Sequence, residues 1–266
     1  MKQFKYITHG FQDGLGVQHT RLQQLGVFAK MFGLKVIFDL RTMPNFIGMD
    51  FDNGIKNEMF SFDSSIIHEP DIIDSLDVGD IFTFNNRHIN RKNSNRFLLD
   101  VTKNFIGQHK LYIKPKNMDS LEKYKPRVVK SVAVHARLGN GEDPHGVEGT
   151  DHWKISHDSF IREMQLQSQN FFVCTDSPDF LERCRQEFGS RIFYTDRIMP
   201  KQGEGPGHRS NEHIVRLENS YITLRDALVD MILLGDATHL ICNYSGLNQY
   251  ARSKLSSTIL HQDSEK

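Results

Sequence analysis

Short apolar runs alternate with amphipathic stretches along the second half of the chain, and the alternation predicts strands and helices in turn. Residues 131–135 read as a strand destined for burial, followed after a loop by a helix around 158–166. Strand 170–175 precedes helix 178–188, strand 191–194 precedes helix 224–234, and strand 239–242 precedes helix 246–255. Strands alternating with helices at this spacing predict a parallel, doubly wound sheet. Ser177-Pro178 is a good helix start, a cap followed by proline in the first turn, with Gly189 at the far end. Thr223-Leu224-Arg225-Asp226 resembles a capping box and sets the expected start of its helix.

The first half opens the same way. Residues 4–8 read as a strand, and His9 to Gly16 as a glycine-punctuated loop leading into a helix on which Leu22, Leu25, Ala29 and Phe32 recur. Gly33 stops that helix and residues 35–40 form the next strand. Gly14-x-Gly16 suggests a dinucleotide fingerprint, but the third glycine is replaced by His19, and Asp39 comes too early for the acidic partner. From Met43 to Met118 only short apolar runs stand out, at 66–67, 72–73, 81–84 and 111–113, in a turn-rich background. The charged, proline-marked stretch 114–127 is expected to be a crossing between an N-terminal domain, 1–118, and a C-terminal one, 119–266.

Composition narrows the function classes. The 266 residues suffice for one large or two modest domains, and 38% hydrophobic content is ordinary for a globular chain. Lysine plus arginine equal aspartate plus glutamate at 33 each, so no global field draws nucleic acid or an anionic membrane. The one basic run, Arg87 to Arg96, lacks interleaved aromatic residues for base stacking and reads as a solvated loop. Cys174, Cys184 and Cys242 have apolar neighbours and no metal-ligand spacing, which marks them as small core residues. No run approaches the roughly 20 apolar residues of a membrane span, and the N-terminal residues lack an apolar signal core, so a cytoplasmic protein is expected.

The candidate chemistry gathers where predicted strands end. After residues 131–134 the chain turns polar, placing His135, Arg137, Glu142 and Asp143 around the flexible Gly139-Asn140-Gly141. In an open α/β sheet that exit is where ligands bind. A guanidinium there can fork onto a phosphate, or pair with Glu142 or Asp143 and close a surface turn. Asp176 ends the next strand, either facing the same ligand or capping a helix. Asp230 sits among apolar residues of its helix, so it needs a partner, either a ligand with two donors or an arginine. Ser245, in Asn243-Tyr244-Ser245-Gly246, joins a strand to a helix whose N-terminus suits a phosphate, or simply caps that helix.

Val134 to Asp143 resembles the phosphate-binding motif of the α1,6-type fucosyltransferase family, to which NodZ and the mammalian core fucosyltransferases belong. Further matches keep the family's order: the Gly14-x-Gly16 loop, Phe38-Asp39-Leu40-Arg41, Cys174-Thr175-Asp176-Ser177, and the serine-containing turn at Ser245. The resemblance is strong over 130–255 and patchy over 9–54. Leu138 departs from it, standing where the family has a second basic residue.

The resemblance implies an α/β fold of the GT-B type, two Rossmann-like domains with parallel sheets facing across a cleft. It implies an inverting fucosyltransferase that moves L-fucose from GDP-fucose to a glycan hydroxyl without a metal or other cofactor. His135 and Asp230 would contact the guanine, and Gly14, Gly16, Arg137, Asn140, Asp176, Tyr244 and Ser245 the rest of the donor. The catalytic residues would be Arg137 with a base among Glu142, Asp143 and Asp151; Gly149-Thr150-Asp151 resembles the Gly-Thr-Glu of core fucosyltransferases, whereas Glu142-Asp143 matches the NodZ version. Two other expectations stay open: a nicotinamide-dependent oxidoreductase using Gly14 and Gly16, and a relative that binds GDP without turnover.

Overall fold

The computed structural model describes residues 4–9, 15–39, 41, 60–84, 110–138, 155–197, 199 and 213–261. The chain divides into two compact units, Met1–Lys116 and Asn117–Lys266. Both are α/β with parallel sheets, as expected.

In the first unit β1 (Tyr6–His9) leads into α1 (Leu15–Phe32) and then β2 (Lys35–Ile37). The buried positions of α1 include Leu15, Gln18, His19, Leu22, Leu25 and Ala29, a three-and-four spacing that lays one face on the sheet. Gly33 ends the helix at φ 66°, a left-handed conformation that glycine adopts without a Cβ penalty. There follow β3 (Phe60–Phe62), β4 (Ile66–Ile67), α2 (Pro70–Asp74), β5 (Ile81–Phe84) and β6 (Ile113–Pro115). The parallel sheet runs β4-β2-β1-β5, while β3 and β6 form a separate antiparallel pair.

Two expectations change here. Gly16 is not in a loop but is the second residue of α1, and Gly14 lies outside the described residues. The second strand ends at Ile37, because the Asp39 carboxylate turns back to accept from the Arg41 backbone N–H at 2.9 Å. The Arg41 guanidinium then bridges Asp39 and Asp74, each at 2.8 Å.

The second unit opens on α3 (Asp119–Val128), which occupies most of the stretch expected to be an irregular crossing. Leu121, Tyr124 and Val128 bury one helical stripe, and Pro126 falls in the last turn, where a missing N–H costs a single bond before the helix stops. Then come β7 (Val132–Ala136), α4 (His157–Gln165), β8 (Phe171–Thr175), α5 (Pro178–Phe188) and β9 (Ile192–Phe193). The series closes with α6 (His213–Leu234), β10 (His239–Cys242), α7 (Gln249–Lys254) and β11 (Ser257–Ile259). All neighbours in the sheet β11-β10-β7-β8-β9 are parallel.

Ser177 caps α5 as expected, its Oγ accepting from the Phe180 N–H at 3.3 Å, and Gly189 follows at φ 55°. The expected start of the helix at Thr223 is overturned: α6 begins at His213, and Asp226 pairs with Arg225 at 2.8 Å instead of capping. Strand β11 was not expected; its three residues, Ser257–Ile259, carry too little pattern to stand out.

Every residue of β7 and β8 is buried, as in a parallel strand covered on both faces. Val132, Val134, Ala136, Phe171 and Val173 point to one side, into a core with Phe160, Ile161 and Met164 of α4 and Phe180, Leu181 and Cys184 of α5. Strand alternation turns Ala133, His135, Phe172 and Cys174 to the other face, where α6 packs on β7 and β8. A histidine and a cysteine near the strand ends thus share one face with a helix that carries Asp230.

Candidate functional site

The strand order of the second unit reverses between β7 and β10, the first strand having successors on both sides. Helices leave in opposite directions from such a point, which opens a crevice beyond the strands' carboxyl ends. The residues at that edge are Arg137 and Leu138 after β7, Asp176 after β8, and Asn243, Tyr244 and Ser245 after β10.

Asn243 is fully buried and clamps the chain at Arg137. Its Oδ1 accepts from the Arg137 N–H at 3.0 Å, and its Nδ2 donates to the Arg137 carbonyl at 2.6 Å. The side chain thereby continues the β7–β10 ladder one step past the strands. On the other side Asp176 Oδ1 accepts from the Leu138 N–H at 2.8 Å, and the second carboxylate oxygen pairs with the Arg137 guanidinium. Both partners of that pair are largely shielded, with side-chain exposures of 13% and 7%. Arg137 therefore pairs with Asp176; Asn140, Glu142, Asp143 and Asp151 lie outside the described residues. Thr175 braces the same edge, its Oγ1 donating to the Ala136 carbonyl at 2.8 Å.

His135 faces inward at the end of β7 and is buried. Asn248, fully buried just before α7, places its Nδ2 2.9 Å from His135 Nδ1 and 2.7 Å from the Asn243 carbonyl oxygen. Burial, with the charges of Arg197 and Arg137 adding to it, pushes the imidazole down to about 3, so the ring is neutral at physiological pH.

Asp230 has no exposed surface. One carboxylate oxygen accepts from Thr195 Oγ1 at 2.7 Å, and the other lies 2.8 Å from Arg197 Nη1, with Cys174 as a further hydrogen-bond partner. Arg197 also donates to the Thr175 carbonyl. Burial raises the affinity of Asp230 for a proton, and Arg197 and Thr195 oppose it. Of the two partners left open by the sequence, the structure contains the arginine.

Tyr244 is exposed, with the Arg252 guanidinium 4.7 Å from its ring centre and His261 at 5.3 Å. Ser245 does not cap a helix: its Oγ accepts from the Leu247 N–H at 3.3 Å in a local turn, and α7 starts only at Gln249. Reasoning from sequence missed Asn243, Asn248, Thr195 and Arg197. Asn243 follows its strand immediately, a signal of the same kind as Arg137; the other three stand in irregular segments without a motif.

Among the described residues no group of three histidine, cysteine, aspartate or glutamate side chains is arranged to hold a metal ion. No helix among them is long and apolar enough to cross a membrane. The unit-one candidate, Gly16, is a buried residue in the first turn of α1, in the unit Met1–Lys116.

No protein-family model matches the sequence, and no curated protein matches it. Solved structures do match in fold. NodZ from Bradyrhizobium aligns over 99% of this chain and 98% of its own, with a TM-score of 0.55 and 18% identity. NodZ α1,6-fucosyltransferase co-crystallised with GDP aligns over 96% of this chain and 93% of its own at TM-score 0.55 and 15% identity. A mutant of Arabidopsis thaliana FUT1 in complex with GDP aligns over 98% of this chain and 72% of its own, at TM-score 0.53 and 11% identity. The chain thus has the GT-B-type fold of these proteins, as its motifs led one to expect.

Proposed function

We propose that this chain is a glycosyltransferase that takes L-fucose from GDP-fucose and delivers it, with inversion, to a hydroxyl of a glycan. The observation that carries the reading is Arg137, fixed between Asn243 and Asp176 at the switch point of the second sheet, in a fold shared with a NodZ structure solved with GDP. A diphosphate brought to this edge meets a cation already held in place. Such preorganisation lowers the barrier as negative charge builds on the leaving group.

In this reading the acceptor hydroxyl attacks the anomeric carbon as the bond to the diphosphate breaks, and one of Glu142, Asp143 and Asp151 takes the hydroxyl proton. Arg137 holds the departing charge, with Asn140, Tyr244 and Ser245 beside it, so no metal is needed. His135 faces the base. Asp230 reaches it once Arg197 yields the carboxylate, and the N1–H and 2-amino group of guanine then present a planar pair of donors like those of the guanidinium they replace. The cytoplasmic location and the domain roles, acceptor on residues 1–118 and donor on 119–266, belong to the same proposal.

Calorimetric titration with GDP, with UDP and NAD as controls, tests it on the wild type and on Arg137→Ala. Binding of GDP that weakens at least tenfold in the variant, a loss of about 1.4 kcal/mol or more, supports the site. Binding of NAD but not GDP would overturn it in favour of a nicotinamide enzyme. GDP binding with no fucose transfer across an acceptor panel would leave a nucleotide-binding relative.

A further inference from the structure

Asn248 has two hydrogen-bond neighbours that fix which end of its amide faces them. One is the Asn243 carbonyl oxygen at 2.7 Å, which only accepts, so the group facing it is the NH₂. The same nitrogen lies 2.9 Å from His135 Nδ1. An NH₂ with one proton committed to the carbonyl gives its other proton to the imidazole, so Nδ1 accepts and the ring proton resides on Nε2. Turning the amide over would set Oδ1 against the Asn243 oxygen, two acceptors face to face. The alternative tautomer is therefore excluded by Asn243, one residue beyond β10.

Protonation of both ring nitrogens is opposed as well, since His135 is buried near two arginines, Arg197 and Arg137. Among the described residues Asn248 Oδ1 has no hydrogen-bond partner although the side chain is fully buried. An amide is a costly way to fill that space unless its NH₂ has work to do.

We infer that Asn248 is a positioning residue for base selection: by holding His135 as the neutral Nε2–H tautomer, it makes the site select a 6-oxopurine over a 6-aminopurine. The inference rests on the proposal that a purine nucleotide lies against His135. A neutral imidazole fixed this way offers a donor and no acceptor on its ligand-facing edge. A 6-oxo group accepts that donor, whereas a 6-amino group sets N–H against N–H. Selection of this kind is large because it leaves a buried donor unpaired in the wrong complex.

Two measurements test it. In ¹⁵N-histidine-labelled protein, long-range ¹H–¹⁵N spectra report the tautomer directly, with the His135 signal assigned by its loss in His135→Gln. The expected pattern is a pyridine-like Nδ1 and a pyrrole-like Nε2. In Asn248→Ala the pattern averages toward both tautomers. In parallel, GDP, IDP and ADP are titrated into both proteins. Wild type is expected to bind GDP and IDP at least about 30-fold tighter than ADP, and Asn248→Ala to narrow that ratio about tenfold. A ring proton on Nδ1 in the wild type overturns the inference, and so does an unchanged GDP-to-ADP ratio in a folded Asn248→Ala. If wild type binds no purine nucleotide at all, the proposed function falls and base selection with it, while the spectrum still decides whether Asn248 sets the tautomer. Should Asn248→Ala fail to fold, Asn248→Ser supplies the ratio.

Discussion

Arg197 Nη1 lies 2.8 Å from a carboxylate oxygen of Asp230, a residue with no exposed surface, while Arg197 itself keeps 19% of its side chain exposed. The two ends of this ion pair are therefore unequal. Asp230 is sealed beneath the sheet face shared with His135 and Cys174, and its charge is tolerated because Arg197 and Thr195 answer it. Arg197 reaches solvent and can be hydrated if the partnership breaks. The pair is both a structural staple and the cover on the carboxylate.

The inequality predicts unequal costs. Arg197→Met strands a buried carboxylate and is expected to destabilise by about 3 kcal/mol, whereas Asp230→Asn, which leaves a partly hydrated arginine, costs about 1–2 kcal/mol. Without Arg197 the Asp230 proton affinity rises further above its unfolded value. A group raised in this way contributes stability at low pH that is lost as pH climbs. The Arg197→Met deficit should thus be smaller at about pH 5 than at about pH 7. Urea unfolding at the two pH values measures it; a deficit independent of pH would show that the carboxylate does not depend on Arg197.

Elements with a strong local pattern were readable from the sequence: α5 and β10 fall at the expected residues, and His135, Arg137 and Asp176 reach the sheet edge foreseen for them. Partnerships were not readable, because they join distant segments. Arg137 pairs with Asp176, 39 positions on, and Asp230 with an arginine that no motif marks. Two boundaries fell elsewhere than the local signal placed them. Pro126 is carried inside α3 by its buried stripe, and Thr223 lies within a helix that continues from His213.

Two buried histidines make stability depend on pH in a defined direction. Burial lowers His19 to about 4 and His135 to about 3, against 6.5 in the unfolded chain. Above about pH 6.5 neither state holds the proton and the full contribution is present. As pH falls from there, only the unfolded chain takes up protons, and each histidine costs about 1.4 kcal/mol per pH unit until its folded value is reached. His19 acts in the first unit and His135 in the second. Denaturation curves at about pH 7 and about pH 5 should show this slope, and His19→Gln should remove one proton's share from the transition of the first unit. An identical slope in the variant would mean that His19 titrates normally.

Gly235 couples stability to the site through α7. A Cβ at this position would stand 2.8 Å from Tyr250 Cε1 and 3.3 Å from Lys254 Cδ. Lys254 can swing away, but the Tyr250 ring is buried, so the helix that carries it must shift. That helix begins one residue after Asn248, whose amide holds His135. Gly235→Ala is expected to cost about 1–2 kcal/mol, a fall in melting temperature of roughly 2–8 °C. Because the cause is one ring, Tyr250→Leu should recover part of the loss, and a double-mutant cycle in thermal melts reads the coupling. Additive effects would place the strain elsewhere than at Tyr250. Coupling, with the His135 tautomer signal shifting in Gly235→Ala, would show that the packing of α7 sets the position of Asn248.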